Sequence, residues 1–279
     1  MIFKQFATIE NNYCQLIYLY KVIKILKEHL NDDYQLILTS HLDTSLPDYE
    51  NGKKNIVVFI GDEKGIKPSW YLKPHIIFRA YNKQSLCDYD KIFPIPCGFN
   101  GPIIANGMEN DYWGEKEKKP LLEREYDLFY SGQPSFHRWR FLKNVNKIKD
   151  KYKSIIKQTG GFRQGFTIKE YYEYLNNTKI ALIPDGVSIP ESFRYVEAFE
   201  SNCIAITTYP IKNKNYRLWY YENSPAIFLD KWNELNTKLI DKLLDSDFLV
   251  EYFEKNKEYY NKYLSTVAVA NYMLDKIKF

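Results

Sequence analysis

Apolar residues recur at helical spacing over residues 13–30 (YCQLIYLYKVIKILKEHL), which predicts an amphipathic helix. Two short runs rich in branched side chains follow, residues 34–39 (YQLILT) and 56–60 (IVVFI), and both read as strands. Residues 75–78 (HIIF) and 92–95 (IFPI) are shorter runs of the same kind. Turn-forming pairs such as Pro47-Asp48 and Asn51-Gly52 separate them. Residues 99–119 change character, with Gly101, Pro102 and Gly107 ahead of the charged run GEKEKK, and read as a linker.

Beyond the linker the alternation resumes. Strands are predicted at 127–130, 154–157, 179–183 and 203–207, with helices at 134–149, 167–176 and 190–201. Residues 231–279 read as helices only. Alternating strands and helices imply parallel sheets covered by helices. The expected organisation is therefore two doubly wound α/β domains, residues 1–115 and 116–279, the second carrying a helical C-terminal tail. Ligands of such sheets bind at the carboxyl ends of the strands. Functional residues should then follow IVVFI, HIIF, DLFY and KIALIP.

Composition narrows the classes. The chain has 279 residues, including 25 Tyr, 17 Phe and 5 Trp, which is too aromatic for a disordered protein. The richness in Lys, Asn, Ile and Tyr fits an AT-rich genome, which accounts for most of the tyrosines without a binding role. Thirty-nine basic against 35 acidic residues give +4, well mixed along the chain. That balance leads to the expectation of no nucleic-acid partner. No apolar run has the ~18 residues of a membrane span. The first residues lack a signal-peptide core, so a cytoplasmic protein is expected. The four cysteines and four histidines form no C-x-x-C or H-x-x-x-H pattern, and no metal site is expected.

The stretch richest in chemistry is 179–207, KIALIPDGVSIPESFRYVEAFESNCIAIT. A strand ends at Pro184, a loop with Asp185 and Gly186 follows, and a helix begins near Ser192. A helix start offers free N–H groups and positive potential, which suits a phosphate. Ser192 can donate its hydroxyl there and Arg194 can grip phosphate oxygens with its fork. Glu197, three residues after Arg194, shares its face; its carboxylate can accept from both hydroxyls of a ribose. The plainer alternative is that Ser192 only caps the helix while Arg194 and Glu197 form a surface ion pair.

These residues resemble the donor half of the exostosin-like glycosyltransferases. The resemblance is carried by Pro184, Gly186, Ser192, Arg194, Glu197, Ala198, Cys203 and Ile204, and upstream by YDLFYSGQPSFHRWRFL. It covers residues 126–207. It implies the GT-B architecture: two facing Rossmann-like domains, with a nucleotide sugar on the C-terminal one. Carried over by position, Glu197 is the ribose ligand and Ser192 and Arg194 hold the diphosphate. Gly132 lets the donor approach the backbone. Arg138, Arg140 and Arg163 are further phosphate or base ligands; Arg163 lies in a loop with Gly161 and Gly165, and one of Arg138 and Arg140 is expected to face solvent. Cys203 is followed by Ile-Ala-Ile where the family has Ile-Pro-Val.

No two of Glu191, Glu197 and Glu200 have seven residues between them, which argues against the common retaining GT-B pattern and points to inversion. An inverting transfer needs a general base for the acceptor hydroxyl. Asp62 is the expected base, with Asp43 and His41 as rivals, and Glu63 beside it. The segment IGDEKGIKPSWYLKPHIIFRAYN resembles the acceptor half of some exostosin-like proteins, which places Arg79 and Tyr81 on the acceptor side; His41, in TSHLD at an earlier strand end, is a further acceptor-side candidate. Trp70 and Tyr71 could stack on a sugar or belong to the core. The resemblance implies a UDP-sugar as co-substrate, xylose favoured, a glycan hydroxyl as acceptor, and no required cofactor. A carbohydrate- or nucleotide-binding protein that lost turnover is the alternative.

Two other patterns compete. Asp88-Tyr89-Asp90 is a D-x-D, the metal motif of the other glycosyltransferase fold, but it follows a polar stretch instead of a buried strand. Asp245-Ser246-Asp247 sits in the helical tail. No P-loop, G-x-G-x-x-G or G-x-S-x-G occurs.

Overall fold

A computed structural model describes residues 2–5, 16–39, 51–60, 74–80, 90–99, 113, 117–161, 164–186, 191–208, 218–221 and 223–278. The chain forms two compact units. The first comprises residues 1–110, 213–222 and 263–279, and the second residues 111–212 and 223–262. A single cut at 115/116 separates the two sheets but leaves the last helix with the wrong one.

In the first unit, β1 (Ile2–Gln5), β2 (Tyr34–Thr39), β3 (Lys54–Phe59), β4 (Ile76–Arg79) and β5 (Ile92–Pro94) form one parallel sheet in chain order. Nearly every residue of β2, β3 and β4 is buried, as expected for parallel strands covered on both faces. Helix α1 (Leu16–His29) buries Tyr18, Leu19, Val22 and Leu26 on its apolar face. The Tyr18 hydroxyl donates to the Leu264 carbonyl at 2.6 Å, far along the chain. Gly98 has φ +76°, and a Cβ there would lie 2.4 Å from the Tyr18 ring. Only glycine allows this approach. The described strand order has no reversal, so this sheet is not doubly wound and has no switch point.

The second unit has one. Its strands are β6 (Tyr126–Gly132), β7 (Ser154–Gln158), β8 (Thr178–Ile183), β9 (Ile204–Thr208) and β10 (Ile227–Leu229), all parallel, in the order β10-β9-β8-β6-β7. The order reverses at β6, so the chain leaves β6 toward β7 on one side and returns to β8 on the other. Between the strands run α2 (Trp139–Ile148), α3 (Ile168–Asn176) and α4 (Phe193–Glu200). Helix α3 starts on a capping box: Thr167 Oγ1 accepts from the Glu170 amide, and Glu170 accepts from the Thr167 amide at 2.7 Å. The core gathers Leu128, Tyr130, Phe141, Val145, Ile180, Leu182, Ile204 and Ile206.

The amino ends of this sheet are pinned by Arg124, which is almost fully buried. Its guanidinium donates to the carbonyls of Lys119 (3.0 Å), Thr178 (2.8 Å) and Ser201 (2.9 Å) and to Cys203 Sγ (3.4 Å). The tail contains α5 (Thr237–Leu243), α6 (Ser246–Tyr259), a π-helical turn (Tyr260–Leu264) and α7 (Thr266–Lys278). Helix α7 packs on α1 and so completes the first unit. No helix of the described residues is long and apolar enough to cross a membrane.

Candidate functional site

The reversal at β6 sets the carboxyl ends of β6 and β8 side by side, and this is where the second unit's polar side chains converge. Ser192 is the N-cap of α4, its Oγ accepting from the Arg194 amide. Arg194, in the first turn, reaches across to the end of β6. Its Nε donates to the Ser131 carbonyl at 3.0 Å and its Nη1 to Ser192 Oγ at 3.4 Å. Nη2 has no hydrogen-bond partner among the described residues. Gly132 explains how the guanidinium fits. A Cβ there would lie 2.6 Å from Arg194 Nη2 and 2.9 Å from the Tyr130 hydroxyl. The space expected for a donor is thus lined by Arg194 itself.

Glu197 lies one turn deeper in α4 and is fully buried. Tyr171 of α3 donates to its Oε2 at 2.8 Å. Burial and the Glu197 charge hold the Tyr171 hydroxyl well above the usual phenol range, while Arg194 pulls it the other way. Tyr171 therefore stays a donor. Among the described residues Arg194 and Glu197 form no ion pair, so the surface-pair alternative does not hold. A void of about 10 Å³, room for about one water, is lined by Tyr130, Ser131, Tyr171 and Arg194.

Arg138 was expected to bind donor phosphate or base. It is buried, and its fork reaches main chain. Nε and Nη2 donate to the Asp185 carbonyl (3.1 and 3.0 Å) and Nη1 to the Gln133 carbonyl (3.2 Å). It ties the loop after β6 to the loop after β8, a positioning role. Arg140 is exposed, with its guanidinium 5.8 Å from the Trp139 ring centre. Arg79 is the last residue of β4, fully buried, with its guanidinium 4.5 Å from the Phe59 ring centre. It is enclosed within the first unit, at the carboxyl end of its strand. His41, Asp43, Asp62, Glu63, Trp70, Tyr71, Tyr81 and Arg163 lie outside the described residues, as do Asp88 and Tyr89 of the D-x-D. The second acidic pattern is a helix cap: Asp245 Oδ1 accepts from the amides of Asp247 and Phe248. Among the described residues no three His, Cys, Asp or Glu side chains are placed to hold a metal ion.

Sequence reasoning passed over Asp185. It directly follows Pro184 at the end of β8, and Thr208 at the end of β9 donates to its Oδ1 at 2.7 Å. Burial raises its carboxyl above the ordinary range, against the Thr208 bond and the charges of Arg138 and His137. Its position after a strand-ending proline was the available signal.

A roomier cavity of about 280 Å³ lies at the opposite end of the strands, lined by Lys118, Glu200, Asn202, Lys257 and Tyr260 among others. Lys118 and Glu200 pair there at 2.8 Å. Helix α4 ends at this cavity, and a helix C-terminus repels anions. Its size does not make it a phosphate site.

No protein-family model matches the chain, and no curated protein matches it. Solved structures do. An alpha-glucosyltransferase in complex with UDP-glucose and DNA containing an abasic site is similar over 94% of this chain and 84% of its own, at 12% identity and a TM-score of 0.53. An alpha-glucosyltransferase in complex with UDP and a 13-mer DNA with a central A:G mismatch is similar over 100% and 99%, at 10% identity and a TM-score of 0.53. The fold is GT-B: two parallel-sheet α/β domains with a C-terminal helix. The exostosin-like resemblance rests on its motifs alone. The expectation of no nucleic-acid partner is overturned, because proteins of this fold are held in complex with DNA.

Proposed function

We propose that the protein is a glycosyltransferase whose second unit binds a nucleoside-diphosphate sugar, a UDP-sugar foremost. The arrangement of Ser192, Arg194 and Gly132 beside the β6–β8 switch point carries this reading. Arg194 is fixed through Nε and presents the rest of its fork at the start of α4, where amide groups and the helix dipole favour an anion. The likeness of fold to UDP-bound glucosyltransferases supports it.

In this reading an acceptor hydroxyl, deprotonated by a carboxylate, attacks the anomeric carbon of the donor sugar. The bond to the diphosphate breaks, and its electron pair leaves on the phosphate oxygen. Arg194, Ser192 and the α4 amides stabilise that charge without a metal. Asp62 is the proposed base, with Asp43 and His41 as alternatives, and inversion at the anomeric carbon follows from a single displacement. Glu197 is the proposed ribose ligand. Ribose binding then exchanges the Tyr171 hydroxyl for those of the ribose.

A thermal-shift screen against UDP, GDP, CMP and dTDP sugars tests the donor site, and stabilisation by UDP-sugars is expected. No stabilisation by any nucleotide would remove the reading. Turnover is then sought with glycan acceptors and with duplex DNA, since similar proteins hold DNA. Product anomeric configuration tests inversion, and activity retained in chelator tests metal independence. Binding without turnover on every acceptor class would favour the second reading, a nucleotide-sugar-binding protein of the same fold.

A further inference from the structure

The geometry points to Asp185 as the residue that selects the donor sugar, taking a neutral sugar through one of its hydroxyls and rejecting a uronic acid. This inference rests on the donor site proposed above. Asp185 stands at the carboxyl end of β8, the strand that flanks β6 at the switch point. Its placement is over-determined. Arg138 grips its carbonyl with two nitrogens, and Thr208 holds Oδ1 at 2.7 Å. The carboxylate thus has one oxygen tied to β9, while Oδ2 has no hydrogen-bond partner among the described residues. The side chain is half-buried, not enclosed.

An acceptor oxygen fixed in this way suits a hydroxyl donor. A phosphate cannot occupy it, because two anions would meet. The diphosphate therefore belongs to Arg194 and Ser192, and the group beyond it reaches Asp185. A neutral sugar brings hydroxyl donors to that oxygen. A hexuronate brings a carboxylate to the same oxygen and meets a like charge. A hydrogen-bonding group held in place discriminates against a ligand that leaves it unpaired.

The test measures binding of UDP, UDP-glucose, UDP-xylose and UDP-glucuronate by calorimetry, for the wild type, Asp185→Asn and Thr208→Val. Asn retains an oxygen for Thr208 and removes the charge. The wild type should bind the neutral sugars at least tenfold tighter than UDP-glucuronate. Asp185→Asn should narrow that gap about tenfold and leave UDP itself unchanged. Thr208→Val, which frees the carboxylate without removing it, should weaken the neutral sugars and not UDP. Equal wild-type affinity for UDP-glucuronate and UDP-glucose would overturn the inference. So would a gap unchanged in Asp185→Asn, or a uniform loss that includes UDP. If UDP does not bind the wild type, the donor site itself fails, and this inference with it.

Discussion

The guanidinium of Arg194 occupies the space that a side chain at Gly132 would fill, with 2.6 Å between Nη2 and a hypothetical Cβ. Gly132→Ala should therefore push the Arg194 fork away from the end of β6. Nucleotide affinity is expected to fall about tenfold, equivalent to about 1.4 kcal/mol. Arg194→Lys should reproduce much of that loss, because an ammonium cannot bond the Ser131 carbonyl and a phosphate with the same fork. Isothermal titration with UDP reads both, and an unperturbed Gly132→Ala affinity would show that Arg194 is not the phosphate ligand.

Tyr171 and Glu197 form the buried pair that joins α3 to α4. Tyr171→Phe leaves the carboxylate without that donor and should cost about 2 kcal/mol, the range for a bond to a charged group. If Glu197 binds ribose, this variant should keep its nucleotide affinity while Glu197→Ala loses it. Urea denaturation and UDP titration on the two variants separate the structural role from the ligand role.

Arg124 satisfies three carbonyls at the amino ends of β8 and β9 and in the segment before β6. Arg124→Ala would leave those acceptors buried and unpaired, at a cost of about 3 kcal/mol or more. Lysine should recover little, since one ammonium cannot span the planar arrangement. A midpoint of urea denaturation within error of the wild type would contradict this account.

Asp185 predicts a pH dependence. Its carboxyl is raised in the folded protein, so the folded state binds its proton more tightly than the unfolded state. The stability this provides is complete below the unfolded carboxylate range and is lost as pH rises through the folded value. Asp185→Asn carries no such proton. Its melting temperature relative to the wild type should therefore climb between pH 4 and pH 7.5. A difference that stays flat or falls would contradict the shift.

Much of this fold was legible because parallel strands buried on both faces leave continuous branched runs such as IVVFI and KIALI. The helix predicted at 167–176 was equally plain, and the structure adds the capping box of Thr167 and Glu170 at its start. Strand β1 (IFKQ) and strand β10 (IFL) escaped because three or four residues carry no period. A C-terminal helix packing back on the small first unit was expected, but not which one: an amphipathic pattern shows that a helix has a buried face, not which unit buries it. In the site, Ser192 and Arg194 were readable from the helix start. The Tyr171 partner of Glu197 was not, because it comes from another element 26 residues upstream. The main-chain bonds of Arg138 were not readable either, because an arginine reaching carbonyls and one reaching phosphates look alike in a sequence.

The return of α7 to α1 has a consequence for biosynthesis. Every residue of the second unit leaves the ribosome before α7 does. The second unit can therefore close its core while the first still exposes the apolar face of α1, including Tyr18 and its unfilled hydroxyl bond to Leu264. The half translated first is the half finished last. A released chain truncated before residue 263 should hold a protease-resistant second unit behind a protease-sensitive first one.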